Sequence, residues 1–377
     1  MINKRRLVNT FKKLVRIDSP SYHEARVIKY LKKELRAKGI QSYEVGRVQG
    51  GETGSLAAYI PGRGATRPCI LLNAHVDTVA PGKKIRPIDK KGYIYTDGST
   101  ILGADNKAGV AAILEIIRTL KEKKLPHPPL RIIFTIAEET GLQGAKVLPD
   151  KVMKADFGLT LDGGDIEKVV CKAPTQYSLA ATIIGRTAHA GIHPEDGINA
   201  IKVASVAIAQ MRLGRIDKET TANIGVIKGG TATNIIPETV ELKGEARSHD
   251  PKKLDRQVEH MERALLKACQ RYRARLKLKV ERMYRSFELG KESSFIAMVV
   301  AGMKAAGIKP VIEKTGGGSD ANIFNEWGIP TVILGVGADN VHTNREQIKV
   351  ADLVNGTEAV LNIIGESVKW KNSKKKR

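Results

Sequence analysis

The stretch Cys69-Ile70-Leu71-Leu72-Asn73-Ala74-His75-Val76-Asp77-Thr78-Val79 decides the fold. Its opening apolar run reads as a buried strand of a parallel sheet. His75 and Asp77 stand where that strand gives out. In open α/β sheets, ligands bind outside the carboxyl ends of the strands. Four more polar knots follow: Gly103-Ala104-Asp105-Asn106-Lys107, Glu138-Glu139-Thr140-Gly141, Leu161-Asp162-Gly163-Gly164 and Val341-His342-Thr343-Asn344. Two of them close apolar strand patterns of their own, Leu130 to Ala137 and Phe157 to Leu161. Gly109 to Leu120 is a helix that is apolar nearly all round. It belongs against the sheet, with Asp105 just before its N-terminus. Strand, helix and strand with polar residues gathered at one end is the pattern of an α/β sheet.

Upstream, residues 3–17 and 22–38 read as helices, with Ser21 and Glu24 as a capping box and Gly39 as the stop. Leu56 to Ile60 and Tyr93 to Tyr95 read as strands. The texture changes at Ala173-Pro174. Ser178 to Ile184, residues 195–212, Ala222 to Lys228, Val240 to Ala246, Pro251 to Arg271 and Leu276 to Val280 then alternate as strand, helix, strand, strand, helix, strand. That is the split βαβ order of a ferredoxin-like unit. Residues 174–285 are therefore expected to form an inserted α+β lid domain. Residues 1–173 and 286–377 are expected to form a catalytic domain with a mixed, mainly parallel sheet flanked by helices. The return segment carries a helix near 293–306, a strand near 310–313, the Gly316-Gly317-Gly318-Ser319-Asp320 loop, the strand Thr331 to Leu334 and a final helix near 350–368.

At 377 residues the chain is long enough for two domains. Its three cysteines, Cys69, Cys171 and Cys269, are scattered, which fits a reducing compartment. The basic N-terminus runs into an amphipathic helix rather than an apolar signal core, and no apolar run approaches the ~20 residues of a membrane span. The expected location is the cytoplasm. The net charge of +23 raises the question of a nucleic-acid or anionic membrane partner. The basic residues are spread among apolar ones at helix or strand spacing, so they read as solvated faces. No aromatic-interleaved nucleic-acid motif accompanies them. The tail Lys374 to Arg377 reads as a frayed end.

Taken singly, a His at a strand end is a surface residue and an Asp before a helix is an N-cap. Their joint occurrence at the ends of apolar runs points elsewhere. Mixed imidazole and carboxylate ligands suit zinc, cobalt or manganese. In two-metal sites the ions lie roughly 3.5–4 Å apart. Asp105 is placed to bridge such a pair, His75 and Asp162 to complete one metal, and Glu139 and His342 the other. Asp77 is too close to His75 to be an equal ligand and is expected to fix the tautomer of its ring. Glu138 is left to act as the base, activating a metal-bridging water and passing its proton to a leaving amine. The implied reaction is hydrolysis of an amide bond.

At these residues the chain resembles the co-catalytic di-zinc peptidases and deacylases, among them peptidase T, acetylornithine deacetylase, succinyl-diaminopimelate desuccinylase, aminoacylase and glutamate carboxypeptidase. The matching motifs are His75-Val76-Asp77-Thr78-Val79, Gly103 to Gly109, Glu138-Glu139-Thr140-Gly141 and His342. The resemblance implies the same roles and a cis peptide bond between Asp105 and Asn106. Leu161-Asp162-Gly163-Gly164, Gly185 to Gly191 and Gly316 to Asp320 look most like the tripeptide aminopeptidase branch. Asp rather than Glu at position 162 is similar to the aminopeptidase side of the family. The resemblance further implies three substrate contacts in the lid. His189 would act on the scissile carbonyl oxygen, often from the partner subunit of a lid-mediated homodimer. Asn234 and Arg247 would hold the substrate carboxylate. The Ser319-Asp320 loop is expected to line the substrate pocket, with Gly316 to Gly318 alternatively just a flexible turn. The expected activity is thus tripeptide aminopeptidase, with N-acyl-amino-acid deacylase as the alternative and a basic RNA- or membrane-surface-binding role disfavoured.

Overall fold

The apolar run ahead of His75 forms the strand Ile70–His75, every residue of it buried. It lies parallel to Leu130–Thr135 on one side and to Phe157–Gly163 on the other. Thr331–Gly335 continues the parallel set beyond Phe157–Gly163. Antiparallel strands flank this centre: Gly54–Ile60 and Ser42–Arg47 on one side, Lys168–Ala173 on the other. The result is a nine-stranded mixed sheet whose middle is parallel. In this computed structural model residues 2–369 are described, so the basic tail Lys374 to Arg377 lies outside them.

The helix Ala104–Glu122 lies against the sheet, buried on nearly all sides, as its lack of a polar face requires. Lys4–Val15 packs on its other side. The helices Ser294–Ala305 and Val350–Ser367 pack on each other, where Gly302 lets the backbone of Ile363 approach. A small four-stranded sheet joins Ile88–Lys90, Tyr93–Tyr95, Gln347–Lys349 and Ala338–Asp339. Its last two strands form a hairpin whose loop carries His342.

The chain divides into two compact units. One holds the chain up to Cys171, Glu288–Lys314 and the chain from Ser319 onward; the other holds Lys172–Phe287 and Thr315–Gly318. The boundaries read from the sequence, 174 and 285, lie within two residues of these, while Thr315–Gly318 groups with the second unit. That unit is an antiparallel sheet ordered Gly214–Arg215, Thr220–Gly229, Thr239–Ser248, Thr175–Ile184, Arg275–Tyr284. The helices Ala200–Gln210 and Pro251–Tyr272 cover one face, burying Leu179, Ile183, Val203, Leu242, Leu254 and Leu265. Along Arg275–Tyr284 the apolar residues Leu276, Leu278 and Val280 turn to that core, and Arg275, Lys277 and Lys279 are exposed. Much of the basic charge here is the solvated half of a period-two strand.

One local reading needs correction. Ser21 and Glu24 do not form a capping box: the helix is Ala25–Arg36, and Glu24 makes no side-chain cap. The Ser21 hydroxyl instead donates to Asp77 Oδ2 at 2.7 Å, and Glu24 turns inward. Ser319 caps the short helix Asp320–Glu326 in a capping box with Asn322, and Asp320 is buried.

Gly109 marks where the helix touches the sheet most closely. A Cβ there would lie 2.3 Å from the Leu161 carbonyl oxygen and 3.1 Å from the Ala74 Cβ. Backbone cannot give way as a side-chain tip can. Gly109→Ala is therefore expected to cost about 1–3 kcal/mol, the usual range for overpacking. Chemical denaturation of the metal-free protein measures it; unchanged stability would show that the contact is slack.

Candidate metal centre

His75 is the last residue of its strand, Asp162 lies near the end of the adjacent parallel strand, and Glu138-Glu139 follow the third. Neighbouring parallel strands end on the same edge, so these side chains share one rim. Asp105 reaches it from the start of the helix Ala104–Glu122, where its own backbone (φ −80, ψ 103) is not helical. The Asp105–Asn106 peptide bond is cis. His342 arrives on the hairpin loop.

The arrangement is symmetric about Asp105. Its Oδ1 lies 3.0 Å from His75 Nε2, which is also 3.4 Å from Asp162 Oδ1. Its Oδ2 lies 3.3 Å from His342 Nε2, which is also 3.0 Å from Glu139 Oε1. Ligand atoms of His75, Asp105 and Glu139 all fall within 4.8 Å of one another. The structure thus brings together all five residues expected to bind metal. His75 Nδ1 faces two acceptors of Asp77, the carbonyl oxygen at 3.2 Å and the carboxylate at 3.4 Å, so the ring proton belongs there. In a neutral ring Nε2 then points a lone pair at two carboxylates. Only a proton or a metal cation between them relieves that repulsion, and this donor set fits a pair of divalent ions.

Without a metal, protons take that place. Burial alone lowers the His75 pKa, but Asp105, Asp162 and Asp77 outweigh it and hold it well above the usual imidazole value. Asp105 and Glu139 raise His342 to about 10. Burial lifts Asp162 to about 7 and pushes Glu138 well above the carboxylate range. Burial acts on Asp105 and Asp77 in the same direction, yet hydrogen bonds to the histidines, and for Asp77 to Ser21 and the Glu138 amide, keep both below the usual value.

Asp77 also sets the Glu138-Glu139 turn. Its Oδ1 accepts the Glu138 amide at 3.0 Å and its Oδ2 the Glu139 amide at 3.2 Å. Sequence reading missed several supporting residues. Asn106 donates to Asp162 Oδ1 at 3.0 Å and accepts the Gly109 amide at 3.1 Å. Buried Lys107 donates to the Ser19 hydroxyl at 2.7 Å, and Ser19 in turn to the Val76 carbonyl at 2.7 Å. Asp320 accepts from Thr135 and Asn73. Asn73, Asn106, Lys107 and Asp320 sat inside quoted stretches, so position alone could have flagged them; nothing local marked Ser19 or Thr135.

The expected lid residues belong to the second unit. The His189 and Asn234 loops are joined by the bond from the Ala190 amide to the Asn234 carbonyl, at 2.9 Å. His189 Nδ1 accepts the Gly191 amide at 3.1 Å, so in the neutral ring Nε2 carries the proton. Arg247 is held by Glu245 through Nε and Nη2, both at 2.9 Å.

Fold and site define a peptidase: the sequence model of "Peptidase family M20/M25/M40" matches residues 71–366, and the chain belongs to that family. A tripeptidase from Staphylococcus aureus superposes with a TM-score of 0.90 at 39% identity, covering 98% of this chain and 100% of that one. Aminopeptidase PepT from Bacillus cereus does so with a TM-score of 0.83 at 42% identity and the same coverage. The uncharacterised protein YqjE of Bacillus subtilis is 41% identical over 372 residues, 98% of this chain and 100% of YqjE. Among the described residues no helix is long and apolar enough to cross a membrane.

Glu24 yields a test of this electrostatic reading. Its Oε1 accepts two amides, Tyr22 at 2.9 Å and Ala137 at 3.0 Å, while the buried Oε2 has no partner. Burial first, then the Asp77 charge, lift its pKa from 4.5 to about 7. A carboxyl with a raised folded pKa binds its proton more tightly when folded. Its contribution to stability is full below the unfolded pKa and is lost as pH rises through the folded one. Metal-free protein is expected to lose stability between about pH 4.5 and 7 through this group. Gln can accept both amides through one oxygen, so Glu24→Gln should flatten that decline. Parallel pH profiles of urea stability for the two proteins would remove Glu24 from the account.

Proposed function

We propose that this protein is a metal-dependent aminopeptidase that removes the first residue of tripeptides. The observation that carries the reading is the symmetry about Asp105, each carboxylate oxygen facing one histidine–carboxylate pair. Likeness over almost the full chain to a tripeptidase and to an aminopeptidase, both near 40% identity, favours peptides over acylated amino acids. His75, Asp162 and Asp105 would hold one ion, and Glu139, His342 and Asp105 the other, with zinc, cobalt or manganese suited to these donors. The ions, when bound, supply Lewis acidity to a carbonyl oxygen and lower the pKa of water.

The remaining steps belong to the chain. Glu138 is 8% exposed and its carboxyl is inclined by burial to hold a proton. Such a group takes a proton from attacking water and returns it to the leaving amine. The Asp77 bonds to the Glu138 and Glu139 amides keep base and ligand on one rigid turn. His189, with its proton on Nε2, has the tautomer that donates to a developing oxyanion. Arg247, oriented by Glu245, suits a substrate carboxylate, with Asn234 beside the His189 loop as its companion.

The deciding experiment is a hydrolysis screen of di- and tripeptides beside N-acetyl and N-succinyl amino acids, on metal-loaded and chelated protein. Chelator-sensitive release of the first residue from tripeptides is expected. Turnover of acylated amino acids alone would move the enzyme to the deacylase branch. Glu138→Gln is expected to retain metal while turnover falls about 10²–10⁴-fold, the range for a general base. Metal lost along with activity would mean that Glu138 and Glu139 have exchanged roles. Arg247→Ala should raise KM for free-acid peptides and spare their amides; equal losses on both would refute the clamp.

A further inference from the structure

Backbone N–H groups in a buried turn need acceptors, because leaving them unpaired is costly. The turn Gly103-Ala104-Asp105 lies ahead of the regular helix: Gly103 is in the left-handed region at φ +70, Asp105 and Asn106 are not helical, and Asn106 accepts the Gly109 amide where the helix proper begins. The acceptor for the turn comes from the far end of the chain. Glu346 Oε2 takes the Gly103 amide at 2.7 Å and Oε1 the Asp105 amide at 2.9 Å.

Glu346 has a second connection. It closes the hairpin loop that carries His342. Residues 339–345 of that loop are exposed, and Glu346 is 1% exposed. The loop folds on itself: the Thr343 hydroxyl donates to the Asn340 carbonyl at 2.7 Å and accepts the Arg345 amide at 3.1 Å. The Glu346 amide donates to the Thr343 carbonyl at 3.0 Å. His342 itself sits in the left-handed region, at φ +61, which a non-glycine residue keeps only when its surroundings impose it. Glu346 thus grips with its backbone the loop bearing one metal-facing residue, and with its side chain the turn bearing another.

We propose that Glu346 is a positioning residue that locks the His342 loop to the Asp105 turn, so that these two residues are set as one unit for the metal pair. The inference rests on the metal reading above. Both carboxylate oxygens are used, one for each amide. Gln offers one acceptor and would turn an NH₂ toward the other N–H, so the lock requires the carboxylate. Without it, the ordering of an exposed loop has to be driven by metal binding, and affinity drops.

The test is calorimetric titration of metal-free protein with zinc, with unfolding midpoints measured on the same samples. Glu346→Gln is expected to weaken at least one of two sites about 10–100-fold, the range for outer partners of metal ligands. In a His342→Ala background the same change should cost much less, because the locked loop then carries no ligand. Two wild-type affinities in E346Q would overturn the proposal alone, as would an undiminished loss in the His342→Ala background. Wild-type protein that takes up no metal would overturn the metal reading and this proposal together. Should E346Q fail to fold, Glu346→Asp takes its place: it keeps the charge but is too short to reach both amides. Wild-type binding in that variant would equally overturn the lock. No readout involves turnover, so failure of the tripeptide reading would be seen separately.

Discussion

Everything near the active rim answers one constraint, the crowding of carboxylates at the ends of buried strands. Asp77, Asp105, Glu138, Asp162 and Asp320 lie within one unit and influence one another's charge. Burying even one unpaired carboxylate is costly. The chain offsets this with backbone amides. Asp77 accepts those of Glu138 and Glu139, Glu24 those of Tyr22 and Ala137, and Glu346 those of Gly103 and Asp105. Each pair of bonds gives a buried acid two donors and pins a turn that leads into the site. The devices that make the charge tolerable also make the geometry rigid.

The topology supplies the rest. Three adjacent parallel strands end on one edge, which gathers His75, Glu138-Glu139 and Asp162 from three parts of the sequence. Close packing of Ala104–Glu122 on that sheet, through Gly109, brings Asp105 to the same edge. Asn106 then ties the helix start to Asp162. The hairpin bearing His342 has too few strand residues to be stable alone. It is held by pairing with Tyr93–Tyr95 and by Glu346.

What could be read from the sequence was what is local and periodic. The strand Ile70–His75, the apolar helix and the alternation in the second unit all announce themselves within a dozen residues, and every candidate ligand except His342, which lies on a hairpin loop, stands at the end of a strand or the start of a helix. The losses have physical causes. Ser42–Arg47 is a half-exposed edge strand with no clean alternation, so it gave no strand signal. Glu24 occupies a capping-box position by spacing, yet its partners are Tyr22 and Ala137. The short helix after Ser319 was hidden behind three glycines. Glu346 lies in a loop with no period, and its role depends on amides more than 240 residues away. Long-range polar contacts leave no local trace.

The same crowding links metal and protons. Nε2 of His75 and of His342 each face two carboxylate oxygens, and both rings are driven toward the protonated form in the metal-free protein. A proton there is a weak substitute for a divalent ion: one charge for two, and one hydrogen bond where two acceptors wait. Metal uptake must displace those protons, so affinity rises with pH until the histidines are neutral on their own account. Asp77, placed against Nδ1 of His75, keeps the ring turned so that it is Nε2 that gives up the proton. In this way a single buried carboxylate governs three things together: the tautomer of His75, the pose of the Glu138-Glu139 turn, and the negative charge that favours a cation at this rim.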